Sequence, residues 1–180
     1  MLIRPETSAD LDAIDAIHRA AFPAPDHGVE PVEARLVREL RNDPGWIPAL
    51  SLVAEGDAEA AAGPGRPSVV GHVVCTSASV GDSPALGLGP IGVLPAVQGS
   101  GVGTALMHTV LGAADALDHP VVVLLGHLDY YPRFGFVPAR SMGIEPPDPE
   151  WGGHFQARAL GAWTPACAGP FRYAAPFEAL

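Results

Sequence analysis

The sequence predicts an α/β domain (α+β in schemes that separate the two), with a mixed central sheet of about six to seven strands flanked by helices. Three observations carry this. Apolar runs of strand length alternate with segments of helical spacing. The run Val121-Val122-Val123-Leu124-Leu125 is apolar throughout, as expected of a central strand covered on both faces. A strand over 86–93 passes through a glycine-rich turn directly into a helix.

Residues 2–6 read as a first strand. Thr7-Ser8-Ala9-Asp10 has capping-box spacing ahead of Leu11, Ile14, Ile17 and Ala21, which predicts a first helix. Pro23, Pro25 and Gly28 interrupt the chain. Pro31 then stands at a helix N1 position ahead of Val32, Leu36 and Leu40, so a second helix is expected to end near Pro44. Strands follow over 49–55 and 68–77, joined by an Ala/Gly/Pro/Asp stretch over 56–67 read as a flexible hairpin loop. In the strand over 86–93, glycines at 87, 89 and 92 with Pro90 argue for a bulge or a splayed edge that something approaches. Val102, Leu106, Val110, Ala113 and Leu117 share one face of a helix over 101–117, which Pro120 stops. Residues 130–136 read as one or two helical turns delivering Phe136 into a final pair of strands. The Pro/Ala-rich tail over 161–180 reads as an extension packed on the domain, with an edge strand within 171–177.

Composition narrows the function classes. At 180 residues and 48% hydrophobic, residues 1–180 are expected to form one domain. No run approaches the length of a membrane span and no basic N-terminal segment leads into an apolar one, so a cytoplasmic protein is expected, with no membrane partner. All ten basic residues are Arg, and the net charge is -10. That acidity, with no arginine cluster, argues against nucleic acid. The lack of Lys excludes the lysine-dependent phosphate loop of nucleotide hydrolases. Cys75 and Cys167 have no C-x-x-C spacing and read as small buried side chains, and no spacing suits a metal site.

The segment Ile91-Gly92-Val93-Leu94-Pro95-Ala96-Val97-Gln98-Gly99-Ser100-Gly101-Val102-Gly103-Thr104 carries the chemistry. A helix N-terminus leaves up to four N–H groups without intrahelical partners, and glycines let a pyrophosphate reach them. The helix dipole favours such an anion by roughly 0.5 to 2 kcal/mol. The spacing is not the dinucleotide fingerprint, since Thr104 stands where the third glycine of a pattern beginning at Gly99 would fall.

Gln98, Gly101 and Gly103 resemble the signature of the GNAT N-acetyltransferases, and Val93-Leu94-Pro95 resembles that family's V-x-P at the end of its fourth strand. Leu88-Gly89-Pro90, Tyr130-Tyr131-Pro132-Arg133-Phe134-Gly135-Phe136 and Phe171-Arg172-Tyr173 look like the YhbS-type subgroup. The resemblance implies a GNAT-like fold splayed at its fourth and fifth strands. It implies acetyl transfer from acetyl-CoA, as co-substrate, to an unidentified amine acceptor, with no metal. By the same resemblance the backbone of Ile91, Gly92 and Val93 pairs with the acetyl-pantetheine arm, while Gln98, Gly99, Ser100, Gly101, Val102, Gly103 and Thr104 hold the pyrophosphate. A non-catalytic acyl-CoA sensor is the alternative, and a homodimer is left open.

Attack on a thioester builds charge on its oxygen, for which an unpaired strand N–H near Gly92 would be a fixed donor. A phenol can then support the departing thiolate. Tyr131, four residues before Gly135, is expected to be that acid, with Tyr130 as a structural neighbour and rival. Many relatives in the resembling family carry Asn where this chain has Leu124, so that cofactor contact does not transfer. No general base stands out among His72, His127, His18 and His27. Asp26, Glu30 and Glu33 sit near the acceptor side in similar enzymes, although helix capping also explains Glu30 and Glu33.

Overall fold

The computed structural model describes residues 1–22, 29–56 and 68–179. Among these residues nine strands form one connected system: β1 (Leu2–Pro5), β2 (Trp46–Gly56), β3 (Ser68–Val80), β4 (Ser83–Val93), β5 (Val121–Leu125), β6 (Val137–Pro138), β7 (Ile144–Glu145), β8 (Phe155–Ala159) and β9 (Gly169–Arg172). Their order is β1-β2-β3-β4-β5-β8-β6, with β9 pairing β3 and β7. The count exceeds the six to seven expected because β6 and β7 are only two residues long.

Among the described residues three α-helices cover the sheet: α1 (Leu11–Ala21), α2 (Val32–Leu40) and α3 (Val102–Ala116). The second helix ends at Leu40, short of the expected Pro44, and Pro31 is its N-cap and not its first helical residue. The chain regains extended structure at Trp46, earlier than expected. The strands over 68–77 and 86–93 are longer than the sequence suggested, because Gly81-Asp82 closes a two-residue hairpin between Val80 and Ser83. Gly81 takes the left-handed φ of +54° that such a turn demands. Apart from Gly56, the expected loop over 56–67 lies outside the described residues.

Two glycines set the helix positions. A Cβ on Gly71 would lie 2.9 Å from both Val102 and Leu106, so α3 packs directly on β3. A Cβ on Gly92 would lie 3.0 Å from His18 Nδ1, so α1 packs directly on β4. Gly71 lies opposite Val93 and His72 opposite Gly92 in the register. Side chains alternate along a strand, so α3 and α1 cover opposite faces of the sheet.

The main core lies under α3, where Leu106, Met107 and Val110 meet Val73, Cys75, Leu86 and Leu124. Residues 121–124 of β5 are buried on both sides, as the apolar run predicts. The tail contributes Phe171 to a second core with Val121, Val123 and Phe155. Its strand spans Gly169–Arg172, and Ala175–Ala179 forms a 3-10 turn where an edge strand was expected to continue.

Candidate active site

β4 and β5 run parallel but pair only at Leu86↔Val122 and Gly87↔Val123. Beyond Gly87, β4 continues for six residues with no β5 partner, which leaves one of its edges open. A bulge begins the divergence. Val73 faces Ile91 while Cys75 faces Leu88, so Gly89 and Pro90 together oppose Val74. The glycines and proline that weaken a continuous ladder are the residues that split this one.

Alternation along β4 decides which backbone groups face the opening. Leu94 N–H donates to Val70 O at 2.9 Å, on the β3 side. In an antiparallel ladder alternate residues turn the same way, so Gly92 is directed to β3 while Ile91 and Val93 are directed to the open edge. The unpaired donors expected near Gly92 are therefore those of its neighbours Ile91 and Val93. Gly92 itself provides space, since a side chain there would strike His18 and Ile17.

The loop after β4 turns through a 3-10 segment (Pro95–Val97) into α3. Gln98 donates from Nε2 to Val93 O at 3.0 Å and ties the loop to the strand end. Gly99 and Gly101 adopt φ of +75° and +93°, with open space where their Cβ atoms would stand. The first helical bond of α3 runs from Ala105 N–H to Gly101 O, leaving the N–H groups of Val102, Gly103 and Thr104 without intrahelical acceptors. Gly99, Gly101, Gly103 and Thr104 edge a groove of about 580 Å³, together with Ile91, Tyr130 and Arg133. Two expected loop residues turn their side chains away: Ser100 Oγ donates to Val97 O, and Val102 is buried against β3.

The groove suits a diphosphate by its own chemistry: free amides at a helix start, no obstructing side chains and one cation at the rim. That cation, Arg133, lies 4.7 Å over the Tyr130 ring, with its guanidinium bonded to Tyr130 O and Asp129 O. The sequence singled out no role for Arg133. Its only signal was a lone cation in the aromatic turn after β5.

The two tyrosines face different ways. The Tyr130 hydroxyl stands over the start of α3, 2.9 Å from where a Gly103 Cβ would lie. Tyr131 opens the 3-10 turn Tyr131–Phe134 and lies across the end of β5. A Cβ on Gly126 would come within 2.1 Å of Tyr131 Cε2, so the ring rests on bare backbone. Burial pushes the Tyr131 phenol up to about 12, so it keeps its proton at neutral pH. Gly126 itself is fixed, since its N–H donates to His154 O and its carbonyl accepts from Gln156 Nε2. Leu124, opposite Gln156 in the register, is buried in the main core.

Tyr131 also lines a second pocket of about 510 Å³ that shares Phe22, Ile91 and His127 with the first. Among the histidines considered, His127 is the one at this junction. His72 and His18 do not reach it, because both are fully buried. Ser51 Oγ donates to Glu6 Oε2 at 2.6 Å and so accepts from His72 Nε2–H at 2.9 Å. That leaves His72 Nδ1 to accept from His18 Nε2–H at 2.8 Å. Burial holds both imidazoles below their ordinary value, hence neutral. Burial raises the Glu6 carboxyl, but bonds from His72, Arg41 and Ser51 outweigh this and hold it at about 2. The chain of groups is a buried strut beneath β4 and not a base.

Glu30 is bound to Arg19 and Arg38 on the surface, so ion pairing rather than capping accounts for it. Glu33 lines the second pocket. Asp26 and His27 lie outside the described residues. Among the described residues no group of three His, Cys, Asp or Glu is arranged to hold a metal ion. No helix among them is long and apolar enough to cross a membrane.

Comparison with known proteins supplies an independent reading. The model of the acetyltransferase (GNAT) family matches residues 11–136. An uncharacterized N-acetyltransferase, YjhQ of Escherichia coli K12, is 38% identical over 122 residues, which span 65% of this chain and 62% of that protein. The crystal structure of the Escherichia coli GNAT protein YhbS in complex with CoA superposes with a TM-score of 0.82 at 28% identity, covering 98% of this chain and 91% of that one. A GNAT acetyltransferase from Brucella melitensis in complex with acetyl-CoA gives 0.73 at 32% identity, covering 98% and 97%.

Proposed function

The chain belongs to the GNAT family of acetyltransferases, and from that premise we propose that it transfers an acetyl group from acetyl-CoA to an amine. The observation that carries the proposal is the open β4 edge beside a glycine loop that begins α3. Solved relatives in complex with CoA and with acetyl-CoA support the choice of donor.

The N–H groups of Val102 to Thr104 receive the pyrophosphate, with Arg133 adding charge at the rim. The edge groups of Ile91 and Val93 pair with the pantetheine arm. An N–H on that edge also meets the oxygen on which charge develops, a contact whose removal elsewhere costs about 3 to 4 kcal/mol of barrier. The amine nitrogen attacks the thioester carbonyl, a C–N bond forms, the C–S bond breaks and the sulfur leaves with the electron pair. The amine gives up one proton and the sulfur gains one, so the products are an amide and a free thiol.

Tyr131 donates a hydrogen bond to the departing sulfur. With the phenol at about 12, full transfer of its proton to a thiolate of ordinary pKa, about 8.5, is uphill by roughly 5 kcal/mol. The phenol therefore stabilises the thiolate, and the proton that finally reaches sulfur comes from the amine. His127, at the junction of the two pockets, accepts that proton on its way to solvent or sulfur.

A panel of aryl and alkyl amines, polyamines, amino acids, aminoglycosides and peptides, assayed with acetyl-CoA by free thiol release, tests the proposal. Amine-dependent thiol release is the expected result. Acetyl-CoA binding without release for any acceptor would favour a sensor.

A further inference from the structure

The pocket beside the open edge carries information about the acceptor that neither family membership nor its relatives supply. Its floor is the diverging stretch of β4 at Leu88, Pro90 and Ile91, and Tyr131 closes the side toward β5. The far wall is aromatic: Trp151, Tyr173 and Phe177 come from the last third of the chain, which folds back over the splay. Tyr173 and Phe177 stack with centroids 4.5 Å apart, and Trp151 lies edge-on to Tyr173 at 6.4 Å. The Tyr173 ring is pinned on Gly87, where a Cβ would come within 2.7 Å. This wall is rigid, so it selects by shape.

The polar lining is sparse, and among the described residues its one permanent charge is negative. Glu33 is the pocket's carboxylate, and among the described residues it has no ion-pair partner. Among the described residues no Arg lines the pocket, and the chain has no Lys. A carboxylate or phosphate on the acceptor would find no counter-charge there, whereas an ammonium would find Glu33 and a chain of net charge -10. The volume of about 510 Å³ is that of a small-molecule site.

We propose that this pocket binds the acceptor and that the acceptor is a cationic amine on an aryl or apolar alkyl body, carrying no carboxylate beside the amine. The inference rests on the acetyltransferase reading above. The amine reaches the thioester where the two pockets meet, at Phe22, Ile91 and His127. Glu33 first holds it as the ammonium, and loss of that proton precedes attack.

Matched pairs test this, because tryptamine and tryptophan, or phenethylamine and phenylalanine, differ only by the carboxylate. The expected result is a kcat/KM for each amine at least about tenfold above its amino acid. Glu33→Gln should narrow that gap through KM while the melting shift with acetyl-CoA is unchanged. Trp151→Ala should raise KM for tryptamine. Amino acids used as well as the amines would overturn the pocket assignment, as would turnover confined to polyamines, aminoglycosides or peptides, although acetyl transfer itself would stand. If no amine is turned over, calorimetry of tryptamine against tryptophan on the CoA-loaded protein decides: selective binding of tryptamine supports the assignment, and equal or absent binding overturns it.

Discussion

Gly126→Ala is a small change with a calculable geometric consequence. The new Cβ would lie 2.1 Å from Cε2 and 2.6 Å from Cδ2 of Tyr131, whereas ordinary contact begins at 3.4 Å. The backbone cannot give way, because Gly126 is held through its N–H by His154 and through its carbonyl by Gln156. The ring must therefore retreat by about 1 Å, a displacement that in enzymes costs on the order of 100-fold in rate. Overpacking should also cost about 1 to 3 kcal/mol of stability. The assay is thiol release from acetyl-CoA at saturating amine, alongside a melting curve with and without CoA. Gly126→Ala should lower kcat about 100-fold while the CoA-induced shift survives, since Gly126 does not line the groove edged by the glycine loop. Combined with Tyr131→Phe, it should cost little more than Tyr131→Phe alone, because both changes remove one interaction. A kcat within about threefold of the parent, or losses that multiply in the double variant, would refute a working phenol at that position.

Tyr131→Phe should lower kcat about 100-fold with little change in acetyl-CoA affinity, whereas Tyr130→Phe should act mainly on affinity through the start of α3; steady-state kinetics on both separates the roles. Gly101→Val places a branched side chain at φ of +93° in the open loop, so it should abolish CoA binding by calorimetry at a stability cost of about 1 to 3 kcal/mol; normal affinity would reduce the loop to a mere turn. Acid should destabilise the fold in two stages. His18, held down at about 3 by burial, contributes stability that is complete above pH 6.5 and falls by about 1.4 kcal/mol per pH unit below it, and His72, also held below its ordinary value by burial, adds a loss of the same sign. Glu6, at about 2 against an ordinary 4.5, contributes roughly 3 kcal/mol that is present above pH 4.5 and lost as pH falls toward 2. A melting temperature unchanged from pH 7 to pH 5 would contradict the buried neutral pair.

The architecture was legible where local signals were strong. The apolar run over 121–125, the heptad-like face from Val102 and the Gly/Pro interruptions of β4 each report on their own surroundings. The same holds for the loop from Gln98 to Thr104, whose glycines have a local backbone reason. What sequence could not carry depends on residues brought together from afar. His18 meets His72 across 54 positions; its spacing of four from Ile14 places it on the apolar face of α1, but nothing local to that helix names the partner on a distant strand. Gly126 carries no sequence signal of its own, and its importance comes from a ring five residues on. Tyr173 and Phe177 read as an edge strand, yet they wall a pocket because the tail crosses back over β3. The glycine at 92 is explained by the close approach of α1, where a Cβ would meet His18 and Ile17, and the direction of its N–H depends on the β3 register, which the residues around it do not reveal.

Acetyl transfer by this chain requires that the open β4 edge and the start of α3 together hold acetyl-CoA. The melting temperature of the purified chain, measured with acetyl-CoA, CoA, NAD and ATP in parallel, tests that directly. At 100 times the dissociation constant a ligand adds about 2.7 kcal/mol, which for a domain of this size raises the melting temperature by roughly 5 to 10 °C. Such a rise with acetyl-CoA and CoA, and none with NAD or ATP, is the predicted result. No shift with acetyl-CoA, or an equal shift with NAD, would contradict it.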